Sequence, residues 1–148
     1  MAVRYDEPTR AARAGNALIR RLAEWGISIA GTRALRVRGR TTGKFRGLVV
    51  NVLTVDGVDY LVSARGNTQW ARNVRAAGVV ELGPRWRRRQ LRATEVADPA
   101  KPDLLKQYLD KWYWEVKGHI AGLTPRSSDD ELRAAAPSIP VFALANPS

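Results

Sequence analysis

Two apolar runs joined by a tight turn constrain the fold of this 148-residue chain more than any other feature. Leu48 to Val55 is almost wholly apolar and rich in β-branched residues, and Val58 to Ala64 repeats the pattern. Asp56-Gly57 between them is a strong signal for a two-residue turn. The sequence therefore predicts an antiparallel hairpin whose second strand runs directly into the segment after Ala64.

A glycine turn and a helix are predicted to follow that hairpin. Gly66 permits backbone conformations closed to other residues, and Asn67 or Thr68 is suited to cap the helix that follows. The free N–H groups of the first helical turn favour phosphate or carboxylate, and Arg65 and Arg72 would add full charges. From local chemistry alone, an ordinary strand-to-helix turn with surface arginines is the plainer interpretation.

The remaining periodicity predicts strands joined by hairpins, with helices inserted between them. Leu35 and Val37 alternate with arginines as one apolar and one basic strand face, and a basic loop over 39–47 follows. The other predicted elements are an amphipathic N-terminal helix at about 8–29, helices at 68–77, 102–117 and 129–136, and strands at 79–82, 86–96 and 139–144. This order favours the α+β class, with an antiparallel barrel in a single domain over residues 1–148, and disfavours a doubly wound sheet.

Positive charge is concentrated in the first part of the chain. Residues 1–92 hold 19 Lys and Arg against 6 Asp and Glu, a net charge of +13, whereas residues 93–148 hold 6 against 8, a net charge of −2. Of the 25 basic residues, 20 are arginine, whose planar fork suits phosphate and carboxylate. An anionic partner is expected, and nucleic acid, an acidic membrane surface and a phosphorylated cofactor all fit this charge.

The reactive groups of several enzyme classes are missing from the sequence. The chain has no cysteine and one histidine, His119, which excludes disulfides, thiolate metal sites and a histidine metal cluster. The motifs of serine hydrolases, P-loop proteins and zinc proteases do not occur. Asp129-Asp130-Glu131 stands where a helix begins, so helix capping explains these carboxylates better than acid chemistry. If the protein is an enzyme, a cofactor is expected to carry its chemistry.

Three segments, taken in order and spacing, resemble the deazaflavin-dependent nitroreductase family. They are Arg38-Gly39-Arg40-Thr41-Thr42-Gly43-Lys44, Val50-Asn51-Val52-Leu53 with Asp56-Gly57, and the segment from Arg65 to Gly78. The resemblance continues through 102–117 and 122–142, and so covers nearly the whole chain. In this sequence the basic loop after Gly43 is shorter than in many members, and Ala71 replaces a tyrosine of their Trp-Tyr-x-Asn pattern.

That resemblance implies a split β-barrel of six to seven strands that binds coenzyme F420, a deazaflavin with a phosphate and an oligoglutamate tail, with FMN the less favoured cofactor. It implies transfer of hydride from C5 of reduced F420 to an electron-poor small molecule: a quinone, an activated alkene or a nitro compound. Lys44 and Arg46 would meet the phosphate and tail, with Arg38 and Arg40 as weaker candidates. The full set of implied cofactor contacts is Lys44, Arg46, Val50, Asn51, Val52, Ala64, Arg65, Gly66, Asn67, Trp70 and Asn73.

Other interpretations stay open at this stage. Arginines 85, 87, 88, 89 and 92 around Trp86 would suit nucleic acid, although no recognised binding signature accompanies them. A non-catalytic barrel holding F420 or a lipid is the other alternative. The N-terminal helix would also suit peripheral contact with an anionic membrane, although packing against the barrel is the plainer account of its apolar face. Tyr108, Trp112 and Tyr113 fall at helical spacing with leucines, so core packing is favoured over a substrate pocket. We expect a cytoplasmic protein, monomeric or homodimeric, without specific nucleic-acid binding.

Overall fold

Six antiparallel strands close into a barrel in the computed structural model, which describes residues 32–84 and 86–147. The strands are β1 (Thr32–Arg38), β2 (Phe45–Val55), β3 (Val58–Val62), β4 (Val79–Leu82), β5 (Arg89–Glu95) and β6 (Val141–Ala145). The helices are α1 (Gln69–Ala77), α2 (Lys101–Val116) and α3 (Asp129–Ala135), with short 3₁₀ turns at Asp98–Ala100 and Ala136–Ser138. The helix predicted at 8–29 lies outside the described residues.

The barrel order is β1-β2-β3-β6-β5-β4, and β4 returns to pair with β1. Strand β2 is shared between two neighbours. Its first part pairs with β1, from Arg38↔Phe45 to Thr32↔Asn51, and its second part pairs with β3, from Val52↔Leu61 onward. Strand β3 thus leaves β2 at Val52, and helix α1 packs against β1, β4 and β5. The α+β, antiparallel barrel expected from the sequence is confirmed.

Two apolar clusters lie on the two sides of the barrel wall. The inner cluster contains alternate strand residues such as Leu35 and Val37, together with Ala71 and Val74 of α1. The outer cluster packs α2 and α3 against the outside of the wall, and Trp112 is its largest buried side chain. The indole Nε1 of Trp112 donates to the backbone oxygen of Val52 at 3.3 Å, which fixes α2 to β2.

The turn between β1 and β2 is shorter than the sequence indicated. The predicted loop over 39–47 was wrong at its end, because Phe45, Arg46 and Gly47 already pair with β1. The exposed side chains of Phe45 and Arg46 hid the strand, since no apolar alternation marks it. Similarly, the strand predicted to start at Trp86 begins at Arg89, after a turn.

The acidic run at Asp129 caps a helix, as predicted. Ser128 is the N-cap of α3, its hydroxyl accepts from the backbone N–H of Glu131 at 3.2 Å, and the Glu131 carboxylate accepts from the backbone N–H of Ser128 at 2.9 Å. These hydrogen bonds lower the pKa of Glu131, the bond to the Ser128 backbone being the larger cause. Among the described residues, none of the helices is long and apolar enough to cross a bilayer.

Candidate functional site

The loop between β1 and β2 is closed by its own backbone. The N–H of Gly39 donates to the Lys44 oxygen at 2.8 Å, and the N–H of Gly43 donates to the Gly39 oxygen at 2.9 Å. Gly43 has φ 71°, a conformation that favours glycine. A Cβ at Gly39 would lie 2.7 Å from Thr42 Oγ1 and 3.2 Å from the Lys44 oxygen. The closure fixes the start of β2, where the exposed Lys44 and Arg46 are presented.

Arg40 connects this loop to helix α1. Its backbone N–H and its Nη1 both donate to Asn73 Oδ1, at 3.1 and 2.8 Å, and its Nη2 donates to Gln69 Oε1 at 2.8 Å. Asn73 is 5% exposed, so its oxygen is satisfied by Arg40 within the protein. The TTG-containing loop and helix α1, which are separate segments in the sequence, are therefore joined in one site.

The turn that enters α1 is held by a buried serine. Ser63, 1% exposed, donates from Oγ to the Gly66 oxygen at 2.6 Å and lies 3.0 Å from Thr68 Oγ1. Because the single Ser63 proton goes to Gly66, Thr68 donates to Ser63. Thr68 Oγ1 also accepts from the Ala71 N–H at 3.2 Å, which makes Thr68 the N-cap. Gly66 has φ 101°, so the glycine requirement predicted for this turn is confirmed.

The N-terminus of α1 is electrostatically suited to an anion. The first turn carries no acidic residue, so the positive end of the helix is not compensated there. Asn67 Oδ1 and Arg72 Nε are buried without a hydrogen-bond partner in the described part of the chain. Such groups are costly to leave unpaired and are expected to meet a ligand or water. Both residues lie at the start of the helix that Arg40 ties to the basic loop.

The other end of α1 is fixed to the barrel by an ion pair. Arg75 donates from Nε and Nη2 to the two carboxylate oxygens of Glu95 on β5, at 2.8 and 2.7 Å. This bidentate contact is the main cause that lowers the pKa of Glu95 and raises that of Arg75. Helix α1 is consequently held at both ends, which keeps its N-terminus in a defined position.

The implied cofactor contacts on β2 divide between the two sides of the barrel wall. The side chains of Val50 and Val52 are buried in the inner cluster, so only their backbone is available to a ligand outside the barrel. Asn51 between them is half-buried and points the other way, by strand alternation. Trp70 on α1 is half-buried, with its ring 6.4 Å from that of Phe142 in the same inner cluster.

The remaining candidates lie in other environments. Ala64 is 8% exposed in the outer cluster, and Arg65 is half-buried in the turn before α1. Tyr108 and Trp112 are at most 2% exposed in the outer cluster, which confirms core packing for both, while Tyr113 is half-buried beside them. Trp86 in the arginine-rich turn is 66% exposed.

Sequence reasoning missed Ser63, Gln69 and the connecting role of Arg40. The bonds of Arg40 span 29 and 33 residues, a separation that local spacing does not report. For Ser63, the available signal was a polar residue at the end of an apolar strand immediately before a glycine turn. His119 follows α2, where its backbone N–H donates to Val116. Within the described residues, no three His, Cys, Asp or Glu side chains form a group that could hold a metal ion.

These features fit a ligand with an anionic part and a flat polar part. Lys44 and Arg46 have no ion-pair partner among the residues that the structure describes, so their charge is available to a phosphate. Asn67 Oδ1 would accept a hydrogen bond from a ring N–H. An antiparallel barrel with these polar and charged groups fits the split-barrel class of flavin- and deazaflavin-binding proteins that the sequence resemblance implies.

Comparison with protein families agrees with this class. The family model for F420H2-dependent quinone reductases matches residues 11–117. The chain belongs to the F420H2-dependent quinone reductase family, so it is an F420-dependent reductase and F420 is its cofactor. No curated protein matches the sequence.

Solved structures share the fold at low sequence identity. A protein described as a domain-swapped dimer is 17% identical with a TM-score of 0.55, and the match covers 91% of this chain and 96% of that one. An F420-H2 dependent reductase, FDR-A, is 19% identical with a TM-score of 0.51, covering 78% of this chain and 94% of that one. A putative pyridoxamine 5'-phosphate oxidase from Listeria innocua is 13% identical with a TM-score of 0.51, covering 86% and 90%. These similarities establish the split-barrel fold.

Proposed function

We propose that the protein reduces quinones with F420H2. The observation that carries the proposal is the connection of two anion-attracting elements, the Lys44 and Arg46 segment and the N-terminus of α1, through Arg40. The family to which the chain belongs is described by quinone reduction, which favours a quinone over an activated alkene or a nitro compound. When bound, reduced F420 supplies a hydride from C5 and a proton, which together convert a quinone to its hydroquinone.

The residues of this chain would bind and orient the cofactor. Lys44 and Arg46 would hold its phosphate and glutamate tail by charge-assisted hydrogen bonds. Asn67 and the backbone around Gly66 would meet the polar edge of the ring, while the β2 backbone at Asn51 would run along its face. Holding the hydride donor and the hydride acceptor in the reactive orientation supplies a large share of the rate acceleration in two-substrate reactions. No side chain is required as a nucleophile or metal ligand.

Fluorescence titration of oxidised F420 into the purified protein tests the cofactor site. We expect Lys44→Ala and Arg46→Ala each to weaken binding about 10-fold or more, because a hydrogen bond to a charged group is worth about 1.5–3 kcal/mol. Arg133→Ala is the matched control, since it removes one exposed positive charge on α3. Absence of F420 binding at low salt would contradict the proposal, and tighter binding of FMN would keep the fold but change the cofactor.

The acceptor is tested by kinetics with F420H2. Turnover is followed by the return of oxidised F420 absorbance with a quinone, an enone and a nitro compound as separate acceptors. We expect the quinone to give the highest kcat/KM. A higher value for the nitro compound would reassign the acceptor, and absence of turnover with all three in a protein that binds F420 would favour the non-catalytic barrel.

The assembly and location of the protein stay predictions. One structural neighbour is described as a domain-swapped dimer, which supports a homodimer over a monomer for this chain. Light scattering of the purified protein would distinguish the two. The cytoplasmic location, the absence of specific nucleic-acid binding and the peripheral membrane contact of the N-terminal helix are expectations from the sequence.

A further inference from the structure

We propose that Arg40 is a positioning residue for the cofactor, which acts by fixing the basic loop to helix α1. This role differs from that of a phosphate ligand, the weaker role that the sequence suggested for Arg40. The inference rests on the proposed function, because it concerns the same F420 site.

The side chain of Arg40 forms its hydrogen bonds within the protein, with side chains of α1. Asn73 Oδ1 accepts two hydrogen bonds from Arg40, one from the backbone and one from Nη1, and a carboxamide oxygen has two lone pairs to offer. Nη2 donates to Gln69 Oε1, one turn earlier in the same helix. Both terminal nitrogens of the guanidinium fork therefore point at amide oxygens of α1. A lysine ammonium is a point charge on a flexible stem and could not reproduce this pair of contacts.

The hydrogen bonds of Arg40 join the two parts of the candidate site, the basic loop and helix α1. The bonds Gly39 to Lys44 and Gly43 to Gly39 close the loop on itself but do not reach the helix. Within the described residues, the hydrogen bonds of Arg40 are the connection between the loop and α1. Without them, Lys44 could move relative to the helix N-terminus, and one anionic ligand would no longer meet both elements at once.

The choice of substitution separates the effect of the positive charge of Arg40 from the effect of its hydrogen bonds to α1. Arg40→Lys keeps the positive charge and loses the fork, whereas Gln69→Ala keeps the arginine and removes one of its acceptors. Gln69 is exposed, so its truncation leaves the core intact. Asn73→Ala removes the buried acceptor and is used as a second partner.

The experiment is a double-mutant cycle on oxidised F420 affinity, measured by fluorescence, with thermal unfolding recorded for every variant. We expect Arg40→Lys to weaken F420 binding about 10-fold, close to the effect of Arg40→Ala, because bidentate sites do not tolerate this exchange. Gln69→Ala should weaken binding and lose most of its effect in the Arg40→Ala background. Asn73→Ala should keep part of its effect there, because it also removes the acceptor of the backbone N–H of residue 40. Arg133→Lys is the matched control and should bind as the wild type does.

A kinetic split distinguishes positioning from a general loss of stability. With the best acceptor, Arg40→Lys should raise the KM for F420H2 about 10-fold and leave kcat at saturating F420H2 within about twofold, because the defect lies in binding. Wild-type affinity in Arg40→Lys, or independent effects of Arg40→Ala and Gln69→Ala, would overturn the inference while leaving the proposed function intact. A wild-type protein that does not bind F420 would instead overturn the proposed function.

Discussion

Replacing Gly39 with alanine tests whether the basic loop is as tightly closed as its contacts indicate. Gly39 does not have a positive φ, so alanine meets no conformational barrier and the effect is steric. The new Cβ would lie 2.7 Å from Thr42 Oγ1, which must rotate away and release its hydrogen bond from the Lys44 N–H at 3.3 Å. The backbone oxygen of Lys44, at 3.2 Å, must also yield by a few tenths of an ångström.

The expected change in the free energy of unfolding of Gly39→Ala is the difference between a steric cost and an entropic gain. Overpacking costs about 1–3 kcal/mol in general, and an exposed loop such as this one belongs at the lower end. Alanine in place of glycine recovers about 0.4–1 kcal/mol by restricting the unfolded chain. The net loss is therefore about 0.5 kcal/mol, which corresponds to a fall in Tm of about 1–2 °C in a chain of this size.

F420 affinity should respond more strongly than stability. Lys44 is displaced directly by the substitution, so we expect F420 binding to weaken about 10-fold, in line with the cost of misplacing a binding group. Differential scanning fluorimetry and F420 fluorescence titration measure the two effects. Gly39→Ala combined with Thr42→Ala should recover part of both losses, because the closest contact is then absent. Unchanged stability and affinity in Gly39→Ala, or no recovery in the double variant, would refute the reasoning.

Three further predictions concern the framework around the site. Trp112→Ala should lower the free energy of unfolding by about 3–5 kcal/mol, whereas Trp114→Ala, at an exposed position, should change it by less than about 0.5 kcal/mol in urea denaturation. Arg75→Ala should cost less than about 1 kcal/mol at pH 7, since the pair is partly exposed. The pKa of Glu95 is lowered from 4.5 in the folded protein, so the stability that the ion pair contributes is fully present above pH 4.5. It is lost as the pH falls through the lowered pKa of Glu95 in the folded protein, and urea unfolding of wild type and Arg75→Ala at pH 7 and pH 3 would measure this loss. Lys101→Ala should lower the free energy of unfolding in urea by about 1–3 kcal/mol, because the Ala136 oxygen loses its hydrogen bond from Lys101 Nζ. Lys101→Arg, measured in the same way, is the comparison.

The strands were predictable where both of their faces are covered by apolar clusters and unpredictable where their side chains are exposed. Leu48–Val55 and Val58–Ala64 stood out because most of their residues face one cluster or the other. Phe45 and Arg46 belong to the same strand yet are exposed, so their pairing with β1 left no apolar pattern. The barrel class followed from strand order and hairpins, whereas the division of β2 between two neighbours is a tertiary result that no local period encodes.

The chain segments that form the candidate site were predictable from the sequence, but the side-chain contacts between them were not. Gly66 has the positive φ that its residue type predicts, and Thr68 is the N-cap out of the two residues, Asn67 and Thr68, that the sequence offers for it. The sequence favours Lys44 over Arg40 as a cofactor contact, because position along the loop does not reveal a partner 33 residues away. The buried faces of Val50 and Val52 depend on the direction of strand alternation, which is fixed only when the inner core is known.

The place of β6 in the barrel has a consequence for how the chain folds. This strand is the last of the six in sequence, yet it lies between β3 and β5 and pairs with both. Until Val141–Ala145 has been synthesised, those two strands each present an unpaired edge, and such edges invite association with other chains. Barrel closure on the ribosome must therefore wait for β6, and truncation before Val141 is expected to yield aggregates instead of a smaller stable barrel.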